Sequence, residues 1–126
     1  MHLSKTDVPV RIDAPGAVAR QQTDFGAAFG VMGAEYFSMA AGADLAPLLE
    51  GLHGDVCNSA HWGYVISGDV TVTYQDGSTE QCVTSDLFHW PAGHSVRVEE
   101  DAELILFSPQ SEHSPVLDHI KTKLGV

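Results

Sequence analysis

Residues 57–68 read Cys-Asn-Ser-Ala-His-Trp-Gly-Tyr-Val-Ile-Ser-Gly, a cysteine and a histidine four positions apart leading into an apolar run that ends at glycine. The run has the length, the aromatic and β-branched content and the closing turn residues of a buried strand. Residues two or four apart on a strand point to one face, so Asp55, Cys57 and His61 share a face if the chain is extended through them. Full extension would hold Cys57 and His61 about 13 Å apart, too far to share one ion, so a shared site requires a bend at Asn58-Ser59-Ala60. The ordinary reading competes with this one. A single buried cysteine is usually a small hydrophobe, and a single histidine in a strand is usually a hydrogen-bonded packing residue.

Outward from this stretch the chain alternates short extended runs with turn residues. The runs are His61–Ile66, Val70–Tyr74, Thr79–Val83, Leu87–Trp90, Ser95–Glu99 and Glu103–Phe107, broken at Ser67-Gly68-Asp69, Asp76-Gly77, Ser85-Asp86, Pro91-Ala92-Gly93 and Glu100-Asp101. Such spacing predicts an antiparallel barrel or sandwich. Asp76-Gly77 predicts a type I′ hairpin, which places Val70, Val72 and Tyr74 on one face and Thr71 and Thr73 on the other. Upstream, Glu35–Ala40 reads as a strand and Asp44–Leu49 as a short helical turn, with Phe37 and Met39 as barrel lining. The tail reads as a helix over residues 115–124, with Ser114 as N-cap, Pro115 at the first position, and Val116, Leu117, Ile120 and Leu124 at helical spacing.

The chain has 126 residues with 44% hydrophobic and 18% charged content, which fits one domain over residues 1–126 with a packed core. Six Lys and Arg against 17 Asp and Glu leave a net charge of −11, which repels phosphate backbones and anionic surfaces and argues against nucleic-acid and membrane partners. The acidity is dispersed, with Glu99-Glu100-Asp101 the longest run, and reads as a solubility feature. The N-terminal residues lack the apolar core of a signal peptide, and no segment approaches the roughly 18 apolar residues of a membrane span. A cytoplasmic location is therefore expected, with Cys57 and Cys82 as free thiols. No repeat and no low-complexity segment is present.

With these residues in place, positions 52–108 resemble the cupins, small β-barrels that commonly hold one divalent metal inside. In their first motif a His-x-His pair is followed by a glutamate and then a glycine. Counting back from Gly68 puts His61 at the glutamate position, Cys57 at the second histidine and Asp55 at the first, so the motif lies at about 52–68. Their second motif ends in Pro-x-Gly, two residues and His. Here, at about 85–98, Pro91-Ala92-Gly93 is followed directly by His94. The order Cys57, His61-Trp62-Gly63-Tyr64-Val65, Pro91-Ala92-Gly93-His94 is most similar to a bacterial subgroup of single-domain cupins. The resemblance implies an all-β fold, a cupin-type antiparallel β-barrel (double-stranded β-helix or jelly roll) with a short C-terminal helix. It leaves the reaction open, because cupins include dioxygenases, isomerases, lyases and sensors.

In that register Cys57, His61, His94 and Asp55 are the expected metal ligands. Val96 occupies the usual histidine position, and His94 has the same strand parity, so it also points inward. A thiolate with two imidazoles suits zinc or iron, with nickel, cobalt or copper acceptable, and Asp55 or water completes the site. His53 and His89 adjoin the motifs without matching a ligand position; His89 and Asp55 are the available proton-transfer groups. His2, His113 and His119 are expected in solvent, Cys82 in the core, and Trp62 and Tyr64 on the outer face against the C-terminal helix or a second subunit. Dimers are common among single-domain cupins, so a homodimer is expected, with the aromatic stripe and the N-terminal 30 residues as its interface. The functional expectation is a metal-binding barrel with a small-molecule pocket, either a metalloenzyme of dioxygenase, isomerase or lyase type or a non-catalytic sensor module.

Overall fold

The computed structural model describes residues Met1–Val126. Seven strands follow in the order β1 (Val10–Ala14), β2 (Ala17–Gln22), β3 (Met32–Met39), β4 (His61–Tyr74), β5 (Thr79–Val83), β6 (Leu87–Trp90) and β7 (His94–Pro109). Two helices accompany them, α1 (Ala46–Leu49) before β4 and α2 (Gln110–Leu124) at the end. All strand pairing is antiparallel, β1 to β2 to β3 to β7 to β4. The far edge of β4 pairs with β5 through Asp69–Thr73 and with β6 through His61–Tyr64. No helix is long and apolar enough to cross a membrane.

Strand β7 organises the barrel. Its residues His94, Val96, Val98, Ala102, Leu104, Leu106 and Ser108 are buried, a period of two interrupted only at Glu100. One edge pairs with β4 along its length; the other meets β3 through Ala102–Pro109 and residues 42–45 through bonds between Leu45 N–H and Val96 C=O and between Val98 N–H and Ala43 C=O. One core cluster fills the barrel around Val65, Val70, Val72, Trp90, Leu104 and Leu106. A second joins Ile12, Ala19, Leu49 and Cys57 to Val116, Leu117 and Ile120 of α2. Cys82 is core, as are Met39 and, in part, Phe37.

The all-β expectation holds, with four corrections of detail. Ser67-Gly68-Asp69 and Glu100-Asp101 do not end strands: β4 and β7 run through them, with the pairing register shifting between Val65 and Val70. Their turn chemistry serves a bulge, which bends a long strand without breaking its ladder. The hairpin at Asp76-Gly77 exists, but Gly77 N–H bonds Tyr74 C=O and only Gly77 has positive φ, at 85°. That geometry is a three-residue loop closed by a bulge glycine, not type I′. Helix α2 starts at Gln110, five residues early, because β7 passes straight into it at Pro109; Ser114 is no cap, and Pro115 lies inside. Trp62 and Tyr64 do face outward, but Trp62 stacks on His89 at 4.9 Å while α2 packs elsewhere.

The β1–β2 hairpin was not read from the sequence, although Pro15-Gly16 at its tip is a strong turn signal.

Candidate metal centre

Cys57 emerges from a 3-10 turn at His53–Asp55 and is fastened to the mouth of β7: its N–H bonds His94 C=O at 2.8 Å, and Gly93 N–H bonds its C=O at 2.8 Å. His94 is the first residue of β7 and His61 the first of β4. Between Cys57 and His61 the chain bends at Ser59, and the sulfur comes within 3.5 Å of His61 Nε2. The donor atoms of Cys57, His61 and His94 all lie within 4.8 Å of one another, and all three residues are buried. The bend the sequence required is present.

The hydrogen bonds around both histidines fix which nitrogen is free. His94 Nδ1 lies 2.7 Å from Pro91 C=O, which can only accept, so Nδ1 carries the proton and Nε2 keeps its lone pair. His61 Nδ1 lies 2.6 Å from Ser108 Oγ. That hydroxyl donates its hydrogen to Glu35 Oε1 at 2.6 Å, so it accepts from His61 and again leaves Nε2 unprotonated. Trp90, buried and stacked on Phe88, closes the wall beside both imidazoles. A thiol with two imidazoles, each oriented through its other nitrogen, is a donor set that fits a transition metal.

Ser108 has no other role visible in this network. Ser108→Ala is expected to lower stability by about 1–3 kcal/mol, the cost of leaving a buried polar partner unsatisfied. It should also weaken metal uptake roughly 10–100-fold, as loss of an outer hydrogen-bond partner does. Thermal melts and a chelator-competition titration measure the two effects, and unchanged values in both would remove Ser108 from the site.

The sequence reading missed two members of this cluster. His113, expected in solvent, is 3% exposed, and Glu35, read only as the start of a strand, is 1% exposed. His113 Nδ1 lies 2.5 Å from Glu35 Oε2, which Gln21 Nε2 also approaches at 3.3 Å. A charged residue at an inward position of β3 was the available signal, since an unpaired carboxylate is not buried without partners. Gln21 in turn accepts from Arg11, which also bonds Ser114 and Asp118 of α2.

The electrostatics follow from burial and these pairings. Burial pushes the Cys57 thiol up, but hydrogen bonds with His113, His61 and His94 and the charge of His61 bring it down to about 3. Burial lowers His61 to about 4, helped by the charge of His113 and opposed by Cys57. Burial acts to lower His113 too, yet the Glu35 charge and hydrogen bonds with Cys57 and Glu35 raise it to about 9. At neutral pH Cys57 is a thiolate and His61 is neutral, the forms in which each binds a metal.

Asp55 does not join the cluster. It is exposed at the surface with φ 56°, and its carboxylate accepts Gly51 N–H at 2.9 Å, a turn role that its place before the strand also permits. His53 and His89 are exposed, His89 on the outer face against Trp62, so neither they nor Asp55 supply proton transfer inside. His119 Nε2–H donates to Glu50 C=O at 2.7 Å, at the surface. The inner cavity measures about 30 Å³ and is lined by Cys57, His61, Trp90, His94 and His113 among mostly apolar side chains.

The barrel encloses the thiol–imidazole cluster, and solved structures share this fold. A Lactobacillus farciminis oxalate decarboxylase in complex with formate superposes with TM-score 0.61 at 20% identity, over 85% of this chain and 32% of that one. A Bacillus subtilis oxalate decarboxylase studied for its Mn(II) centres gives 0.58 at 22% identity, over 85% and 28%. A Pseudoaminobacter salicylatoxidans salicylate 1,2-dioxygenase in complex with gentisate gives 0.57 at 22% identity, over 82% and 28%. The chain thus spans about a third or less of the length of these structures. No family model matches the sequence, and no curated protein matches it. The chain has the cupin fold.

Proposed function

We propose that this protein is a metal-binding cupin in which Cys57, His61 and His94 hold one divalent transition metal beside a pocket for a small organic molecule. The observation that carries the reading is the convergence of three buried donor atoms whose histidines both have Nδ1 committed elsewhere. Zinc or iron suits one thiolate with two imidazoles, and nickel, cobalt or copper is tolerated by the same set. When bound, such an ion supplies Lewis acidity toward a carbonyl or carboxylate, or an oxygen-activating centre if it is iron. The chain's own contribution is to fix the donors, through Ser108 and Pro91, and to exclude water, through the apolar side chains of Val96, Leu104 and Leu106. This keeps the local dielectric low around any charge that develops there.

The size of the cavity favours a second reading, a non-catalytic binding or sensing module. At about 30 Å³ the cavity has room for only about two or three waters, so a molecule as large as a dicarboxylic acid enters only if side chains move.

Metal analysis by inductively coupled plasma mass spectrometry on untagged protein tests the proposal. Wild type is expected to carry about one ion per chain, lost in His61→Ala and in His94→Ala. Wild type that holds no metal and takes none up on reconstitution would overturn it, leaving Cys57 and His61 as packing residues.

A further inference from the structure

Resting on that metal site, we propose that His113 is its fourth protein ligand, so that the C-terminal helix α2 closes the centre and metal occupancy is read out as the docking of α2. His113 sits in the first turn of α2, yet it lines the same cavity as Cys57, His61 and His94. Its ring centroid is 4.4 Å from that of His61, nearer than the 5.1 Å separating His61 from His94. Its Nδ1 is taken by Glu35 Oε2 at 2.5 Å, so the nitrogen left for the Cys57 thiol is Nε2. In all three imidazoles Nδ1 is bonded to an oxygen, which leaves Nε2 as the nitrogen that can ligate. The donors of Cys57, His61 and His94 converge within 4.8 Å without His113, so its ring must draw inward with α2 to join them. A carboxylate behind a histidine is the usual support of a metal-binding imidazole.

Glu35 itself is a poorer candidate, although its oxygens, with His61 and His113, lie within 4.8 Å of one another. One oxygen accepts from Ser108 and the other from His113 and Gln21, which leaves the carboxylate serving its neighbours. One thiolate and three imidazoles make a four-ligand set of the closed type, consistent with the small cavity. The consequence lies in the helix. Apart from His113, α2 is held by Val116, Leu117 and Ile120, by the bonds of Arg11 to Ser114 and Asp118, and by the bonds of His119 to Glu50 C=O, Ala60 N–H to Glu112 and Gln110 N–H to Val31 C=O. A metal bond to His113 adds a tie between α2 and the barrel mouth, and a small molecule that displaces His113 loosens that tie.

Cobalt(II) is the probe, titrated into metal-free protein against a competing chelator, with visible spectra and hydrogen exchange recorded together. Wild type is expected to give the intense d–d bands of four-coordinate cobalt and slower amide exchange across α2 on cobalt addition. His113→Gln is expected to lose affinity by more than the roughly 10–100-fold of an outer hydrogen-bond partner. It should also lose the intense bands and the protection of α2, while Asp118→Asn keeps the spectrum. His113→Cys restores a donor, so tight binding with added sulfur-to-cobalt charge transfer is expected. A His113→Gln protein with wild-type affinity and spectrum overturns the proposal and leaves the three-residue site standing. Should His113→Gln not fold, a His113→Cys spectrum with the charge transfer of one thiolate overturns it instead. Wild type that takes up no cobalt removes the three-residue site and this proposal together.

Discussion

Glu35→Ala is expected to lower the unfolding free energy of the metal-free protein by about 3–5 kcal/mol, the range for breaking a buried ion pair by removing one partner. The carboxylate is fully enclosed and serves Ser108, His113 and Gln21 at once, so its loss strands an imidazolium and a hydroxyl in the core. The pair also predicts a pH profile. Burial acts to raise the Glu35 carboxyl, but the charge and hydrogen bond of His113, with smaller help from His61 and Ser108, bring it below its ordinary value. A carboxyl that is lower in the folded than in the unfolded chain adds stability above its unfolded pKa of about 4.3, and that stability is lost as pH falls. His113, raised to about 9, adds stability below its unfolded value of 6.5 and loses it as pH rises through about 9. The pair contributes fully between roughly pH 4.5 and 6.5. Cys57 and His61 titrate in both proteins, so the pair is read from the difference in denaturant unfolding free energy between wild type and Glu35→Gln, which should be greatest in this range and shrink at lower and at higher pH. A loss under about 1 kcal/mol in Glu35→Ala, at the level of an exposed pair, would show that the network does not stabilise the fold.

Gly68→Ala is the second large effect expected. Gly68 has φ +109°, and a Cβ there would stand 2.4 Å from Asp101 C=O and 2.6 Å from Ala102 Cα, both backbone atoms of β7. Overpacking costs about 1–3 kcal/mol. The backbone conformation adds about 1–3 kcal/mol for a residue with a side chain. Gly77→Ala is the control, because Gly77 has φ +85° with nothing within 4 Å and meets only the second cost. The midpoint of Gly68→Ala should therefore fall well below that of Gly77→Ala. Equal losses would mean that β4 and β7 separate freely at the bulge.

The strands were legible from short-range rules, and the convergence of Cys57, His61 and His94 from the motif register that the cupin resemblance supplied. Alternation placed Val70, Val72 and Tyr74 together, and parity put His94 on the inward face with Val96. The readings failed where one local pattern serves two geometries. Ser67-Gly68-Asp69 has turn residues whether the chain reverses or merely bulges, and Ser114-Pro115 has a helix-start pattern although β7 had already passed into α2. Asp55 fell within motif spacing yet turns outward to Gly51. His113 and Glu35 were hidden for a different reason: 78 positions separate them, and no local rule reports on a pair so distant.

That separation bears on the order of events during folding. Only Cys57 and His61 are neighbours in sequence; Ser108 comes to His61 across 47 positions and to Glu35 across 73. Contacts of this span form after the chain has met the entropy of closing long loops, so the donors do not converge until the barrel is nearly complete. An ion captured by such a site arrives late. It would slow the rate at which the native chain opens far more than it would speed the rate at which the chain folds.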